Sequence, residues 1–133
     1  EGRVRWDLLL PFPEQGEEDR RIGDAYLARL EKFLKENLDP DEVDRTGEIP
    51  AKVIQGLAEL GCFALKIPKE YGGMGFSQVN YNRILQLVTS YCASTSVWLS
   101  AHQSIGVPQP LKLSKRISPA FLKLLGAEIV AFK

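Results

Sequence analysis

Apolar residues recur every three or four positions in three stretches of the chain, the spacing that places side chains on one face of a helix. The pattern predicts helices over residues 20–37, from about Pro50 to Gly61, and over residues 77–92. Pro50 suits the first turn of its helix because its missing N–H needs no partner there. The predicted buried face of the third helix consists of Val79, Tyr81, Ile84, Leu85, Leu87, Val88 and Tyr91.

A fourth helix is predicted over residues 94–106, and many of its positions carry small side chains. Ser96 and Ser100 lie one turn apart and therefore share a face. Small side chains let a helix approach either a neighbouring helix or a ligand closely, and both interpretations remain open at this point. Further along, residues 128–132 (Glu-Ile-Val-Ala-Phe) are rich in branched and aromatic side chains, which favours a β-strand.

Together these elements predict an all-α helical bundle whose chain ends at the start of a β-domain. Residues 1–19, which include two prolines, are predicted to form an extended arm, and residues 41–48 an acidic loop. Residues 20–126 would form the helical domain. Residues 127–133 would be the first strand of a truncated middle domain.

Charge is balanced over the whole chain but uneven along it. The 17 basic and 17 acidic residues give a formal net charge of zero, which argues against nucleic acid as a main partner. Residues 1–48 hold 14 acidic and 8 basic residues, a net of −6, whereas residues 49–133 hold 3 and 9, a net of +6. The acidic half is interpreted as a solvated first helix, and the alternative is that the basic half faces an anionic cofactor or substrate.

The residue types offer little catalytic chemistry. Cys62 and Cys92 lie 30 positions apart among apolar neighbours and are predicted to be small core residues, and no metal site is predicted. His102 is the only histidine; a structural hydrogen bond is the favoured interpretation, and a ligand or catalytic role is the alternative. No apolar run approaches the roughly 20 residues needed to span a bilayer.

Three segments resemble the N-terminal domain of the acyl-CoA dehydrogenase family in order and spacing. They are Leu-Ala-Glu-Leu-Gly at 57–61, Ile-Pro-Lys-Glu-Tyr-Gly-Gly-Met-Gly at 67–75 and Ser-Ala-His-Gln-Ser-Ile-Gly at 100–106. The final segment is most similar to the very-long-chain and related bacterial branches. Residues 111–119 look several positions shorter than the family's usual turn, and the family's flavin-contacting run and catalytic glutamate are expected to lie beyond residue 133.

The resemblance implies a parent flavoenzyme that uses FAD to desaturate the Cα–Cβ bond of a fatty acyl-CoA. This portion would form one wall of the acyl cavity and would contain no catalytic residue. The implied partners are the acyl-CoA substrate, an electron-transfer flavoprotein and further copies of the chain. The substrate-binding wall is predicted to consist of Ser96, Val97, Ser100, Ala101 and Ser104, together with Tyr81 and Leu85 on the preceding helix.

Two other functions are compatible with the same residues. Acyl-CoA oxidases and flavin monooxygenases of the same fold have a similar N-terminal domain, and a non-catalytic helical module could bind acyl chains or a protein. The compartment would be the cytoplasm in a bacterium and the mitochondrion in a eukaryote.

Overall fold

A computed structural model describes residues 4–11, 14–106 and 117–131 of the 133-residue chain. The regular secondary structure of the described residues is helical, and no strand occurs among them, which confirms the predicted all-α class. Sequence periodicity predicts four main helices, whereas the described part of the chain forms six. These are α1 (Glu17–Asn37), α2 (Pro40–Thr46), α3 (Ala51–Glu59), α4 (Gln78–Tyr91), α5 (Ala93–Ser104) and α6 (Pro119–Ala131).

Short 3-10 turns occupy some of the connections. They lie at Trp6–Leu8, Cys62–Ala64 and Lys69–Tyr71. The first turn falls in the predicted N-terminal arm, so residues 6–8 are not extended. The arm's apolar side chains between Val4 and Leu10 are exposed to solvent.

Helix α1 is the longest element, and it begins three residues earlier than predicted. Glu17, Glu18 and Asp19 fill its first turn, where acidic side chains interact favourably with the positive end of the helix dipole. The apolar spacing that predicts the helix also defines its packing, since Tyr26, Leu30 and Leu34 are all buried.

Helix α2 replaces the acidic loop predicted over residues 41–48, and that prediction is wrong for residues 41–46. The Asp39 carboxylate accepts hydrogen bonds from the backbone N–H groups of Asp41 (3.0 Å) and Glu42 (3.3 Å), and Pro40 occupies the first turn. Gly47 ends the helix with φ of 71°, the left-handed conformation that favours glycine. Capping residues at both ends, and not apolar periodicity, specify this helix.

The core lies between α1, α3, α4 and α5, with α4 packed between α1 and α5. Cys62 and Cys92 are buried free thiols in this core, as predicted. Three residues of the predicted buried face of α4 are buried, namely Tyr81, Ile84 and Val88. Leu85, Leu87 and Tyr91 are half-buried, and Val79 is about half exposed. The most deeply buried side chains of the core include Leu30, Leu34, Val53, Leu57, Phe63, Leu65, Ile84, Val88 and Leu99.

The loop between α3 and α4 turns back on itself at the glycine-rich segment. A Cβ atom at Gly73 would lie 2.2 Å from the Ile67 carbonyl oxygen, so only glycine allows this approach. Backbone hydrogen bonds from Met74 to Ala64 (3.0 Å) and from Phe76 to Leu65 (2.8 Å) hold the two sides of the loop together. The loop thereby fixes where α4 begins relative to the turn at Cys62–Ala64.

The strand predicted over residues 128–132 is wrong for residues 128–131, which continue helix α6. A strand leaves its backbone N–H and C=O groups unsatisfied unless a neighbouring strand pairs with it, and the described residues contain none. A helix satisfies the same groups locally, and branched side chains reduce helix propensity only slightly. The predictions for residues 132 and 133, and for the short segment at 111–116, lie outside the described residues.

A polar cluster joins the start of α1 to the start of α4. Asn80 is fully buried, and its side-chain amide donates to the Asp19 carbonyl (2.7 Å) and the Asp19 carboxylate (3.0 Å). Ser77 donates to the same carboxylate (2.8 Å) while its oxygen caps α4 by accepting from the Asn80 N–H (3.1 Å). Gln15 also donates to Asp19 and Asn80. The cluster fixes the register between the two helices.

Replacing Gly23 by alanine is expected to lower the free energy of unfolding by about 2 kcal/mol, because overpacking a tight interface costs more than the helix gains from alanine. A Cβ atom at Gly23 would lie 2.0 Å from Asn80 Oδ1, which its hydrogen bonds hold in place. Urea denaturation measures the effect. The double variant Gly23→Ala/Asn80→Ala should lose less free energy of unfolding than the sum of the losses in the two single variants. Losses that add strictly would contradict the proposed clash.

Asp19 should make stability sensitive to acid. Hydrogen bonds from Gln15, Ser77 and Asn80 hold the pKa of the Asp19 carboxyl below its ordinary value of 3.8, against the opposing effect of desolvation. Because the pKa of this carboxyl is lower in the folded state than in the unfolded state, Asp19 stabilises the fold at pH values above its ordinary pKa. This contribution is lost as the pH falls through the folded-state pKa. Asp19→Asn should therefore be less stable at neutral pH, and its stability should fall less steeply in acid. An unchanged slope, compared with the exposed-site control Asp44→Asn, would contradict this assignment.

Candidate functional site

Helices α4 and α5 form an antiparallel pair joined by the single residue Cys92. Ser96 is buried at the contact, where its hydroxyl donates to the Leu85 carbonyl (3.2 Å) and pairs with the Thr89 hydroxyl (2.7 Å). A larger side chain at Ser96 could not fit so close to the α4 backbone. At this position, therefore, the small residue serves helix packing.

The other end of the pair brings two predicted wall residues together. The Tyr81 hydroxyl lies 3.3 Å from the Ser100 hydroxyl, in hydrogen-bonding contact. Tyr81 is buried, whereas Ser100 is half-buried. The Lys66 ammonium lies 5.0 Å from the centre of the Tyr81 ring, within the range of a cation–π interaction. This end of the pair is polar and positively charged.

The seven predicted wall residues do not all share one surface. The structure brings Tyr81 together with Ser100, and Leu85 together with Ser96. Ala101 is half-buried, whereas Val97 (68% exposed) and Ser104 lie on the outer side of α5. The predicted wall residues therefore lie in three places: at the contact with α4, at the half-buried position of Ser100, and on the outer surface of α5.

The outer side of α5 is apolar. Val97 and Ile105 are 68% and 81% exposed, and the indole of Trp98 is partly exposed beside them. On α6, Phe121 and Leu124 are also exposed. Exposed apolar side chains of this size, grouped on one helix, are typical of surfaces that meet a ligand or another protein segment.

His102 lies beside an aromatic group on α5. Its ring meets the Phe63 ring edge-on at a centroid distance of 5.3 Å, and Phe63 meets Trp98 in the same way at 5.1 Å. Within the described residues, the buried Nε2 atom has no hydrogen-bond partner, so the structural hydrogen bond favoured by the sequence is not found at this atom. Burial lowers the pKa of His102, which favours the neutral ring.

Sequence reasoning missed Lys66 and Phe63 as neighbours of the α4–α5 pair. Both lie in the non-periodic segment after α3, where hydrophobic spacing gives no information about contacts. Only the closing of the glycine-rich loop brings this segment against α5.

Within the described ranges, no group of three or more histidine, cysteine, aspartate or glutamate residues is arranged to hold a metal ion. None of the helices described is both long and apolar enough to cross a bilayer.

The family model for the acyl-CoA dehydrogenase N-terminal domain matches residues 23–114. The chain belongs to this family. The probable acyl-CoA dehydrogenase FadE10 of Mycobacterium tuberculosis is 49% identical over 113 residues, which cover 85% of this chain. The mitochondrial very long-chain specific acyl-CoA dehydrogenases of Mus musculus and Homo sapiens are 35% and 32% identical over 106 residues, or 79% of this chain.

The chain spans only about one sixth of these relatives, namely 17% of the mycobacterial protein and 16% of the mammalian ones. Its similarity to acyl-CoA dehydrogenases therefore covers their N-terminal domain alone.

Proposed function

We propose that this chain is the N-terminal domain of a FAD-dependent acyl-CoA dehydrogenase and forms one wall of its fatty-acyl cavity. The observation that carries the proposal is the α4–α5 pair, whose outer side is lined by small and apolar side chains within the segment that matches the family. The mycobacterial and mammalian relatives are also named as acyl-CoA dehydrogenases, the former as a probable one.

The side chains of α5 suit contact with an alkyl tail. Ser100 and Ala101 are half-buried and small, so we expect a shallow depression there, beside the larger Val97 and Trp98. An alkyl chain lying there would remove apolar surface from water, which contributes roughly 0.8 kcal/mol for each buried methylene. Tyr81 and Leu85, from α4, would close the inner side of this depression.

The remaining chemistry belongs to other parts of the proposed enzyme. When bound, the flavin supplies a hydride acceptor for the Cβ hydrogen, and a carboxylate base elsewhere removes the Cα proton. We assign no described residue of this chain to either role. Its own residues would position the acyl tail and exclude water from it.

The proposal extends to partners and location. An electron-transfer flavoprotein would reoxidise the flavin, and the enzyme would assemble as a homo-oligomer. Because the mycobacterial relatives are more similar than the mammalian ones, a cytoplasmic location in a bacterium is proposed.

The test is anaerobic titration of the complete purified flavoprotein with palmitoyl-CoA. Loss of the oxidised flavin absorbance, together with formation of the 2-enoyl-CoA, would support the dehydrogenase. Hydrogen peroxide formed stoichiometrically under air would favour an oxidase of the same fold instead. If the complete purified protein instead carries no flavin and forms no 2-enoyl-CoA, the proposal is contradicted and a non-catalytic helical module is favoured.

A further inference from the structure

The polar end of the α4–α5 pair carries a positive charge that has no acidic partner. Lys66 is half-buried, and its ammonium lies over the Tyr81 ring. Among the residues that the structure describes, no carboxylate lies within ion-pairing distance of this ammonium. An ammonium with no acidic neighbour can accept an anion as its partner, and a charge-assisted hydrogen bond to it is stronger than a neutral one.

The neighbouring hydroxyl groups also have an unused donor. Tyr81 and Ser100 each carry one hydroxyl hydrogen, and their mutual hydrogen bond uses only one of the two. Neither hydroxyl makes another hydrogen bond among the described residues. One O–H donor therefore remains available to an acceptor near the ring that the ammonium overlies.

We propose that Lys66, Tyr81 and Ser100 bind a carboxylate at the far end of the acyl chain, which makes dicarboxylyl-CoA thioesters the preferred substrates. This inference rests on the proposed function, since it takes Tyr81 and Ser100 as part of the acyl-cavity wall. An ammonium and a hydroxyl donor match the charge and the acceptor atoms of a single carboxylate, and such charge-assisted hydrogen bonds are stronger than neutral ones.

The test compares kcat/KM of the complete flavoenzyme for pairs of acyl-CoA thioesters of equal chain length, one ending in a methyl group and the other in a carboxylate. At the chain length that reaches Lys66, the wild type should prefer the dicarboxylyl thioester by about tenfold or more, as expected for one added charge-assisted contact. Lys66→Met should abolish this preference, whereas Lys66→Arg should retain most of it.

Two further variants complete the test: one is a control for removing a lysine elsewhere, and the other measures the contribution of the Tyr81 hydroxyl. Lys52→Met removes an exposed lysine on α3 and should leave the substrate ratio unchanged. Tyr81→Phe keeps the ring under the ammonium but removes a hydroxyl, so it should reduce the preference partially. Because each result is a ratio of two substrates on one protein, a loss of folded enzyme cancels.

The outcomes also separate this inference from the proposed function. If the enzyme oxidises methyl-ended thioesters but shows no Lys66-dependent preference for a terminal carboxylate, the inference is overturned. The proposed role as acyl-cavity wall would remain. Oxidation of neither series would overturn the proposed function and the inference together. A Lys66-dependent preference for the dicarboxylyl series would support both.

Discussion

Replacing Leu30 by alanine should lower the free energy of unfolding by about 3–4 kcal/mol, a large part of the roughly 5 kcal/mol of a marginal domain. Leu30 is fully buried in the middle of α1, within the core that α1 shares with α3, α4 and α5. Truncation removes buried apolar surface and leaves a cavity that rigid neighbours fill only partly. Urea denaturation, monitored by the far-UV helix signal, measures the loss.

The matched control is Leu8→Ala in the N-terminal turn. Leu8 is 72% exposed, so the same chemical change should alter stability by less than about 0.5 kcal/mol. Similar losses at the two positions would contradict the packing of α1 described above. A large loss at Leu30 alone would support it.

Replacing Ser100 by tryptophan in the complete enzyme should lower kcat/KM for long-chain acyl-CoA substrates by about a hundredfold and leave short-chain substrates nearly unaffected. Ser100 is half-buried between the polar end of α4 and the outer side of α5. An indole at this position would fill the depression in which the end of a long tail is proposed to lie. The measurement is the chain-length profile of kcat/KM.

Ser90→Trp provides the matched control for this variant. Ser90 lies near the end of α4 in an open groove shared with α1, on residues that the proposed wall does not use. The same substitution there should leave the chain-length profile unchanged. An unaltered profile in Ser100→Trp, with folding intact, would remove Ser100 from the wall.

The sequence predicts the long helices well because their apolar residues follow the helical period closely. Leu30 and Leu34 on α1, and Ile84 and Val88 on α4, are buried where their spacing predicts. Val79 fits the same pattern but lies in the first turn of α4, where the core no longer covers it. Periodicity therefore identifies a helix face more reliably than the extent of its burial.

The errors occur where structure depends on signals other than periodicity. Helix α2 has too few apolar residues to show a helical period. The sequence signals that predict it are Asp39, Pro40 and Gly47 at its ends. For residues 128–131, local β-propensity favours a strand, but strand formation depends on pairing partners that a propensity does not include. The first error overlooks local capping signals, whereas the second concerns a pairing partner that the segment itself cannot supply.

The candidate site is predicted only in part for a similar reason. Helical spacing correctly puts Ser96 and Ser100 on neighbouring parts of one face, and it is the structure that distinguishes a packing role for Ser96 from an accessible position for Ser100. Lys66 belongs to no periodic pattern. Its approach to Tyr81 depends on the folded glycine-rich loop, which no local rule predicts.

Photo-cross-linking tests the central claim most directly. The complete flavoenzyme would be irradiated with a long-chain acyl-CoA that carries a diazirine at the end of its tail, and the adducts would be mapped by peptide mass spectrometry. The account predicts adducts on α4 and α5, centred on Tyr81, Ser100 and Ala101, that excess palmitoyl-CoA suppresses. Suppressible adducts that all lie outside these two helices would contradict it.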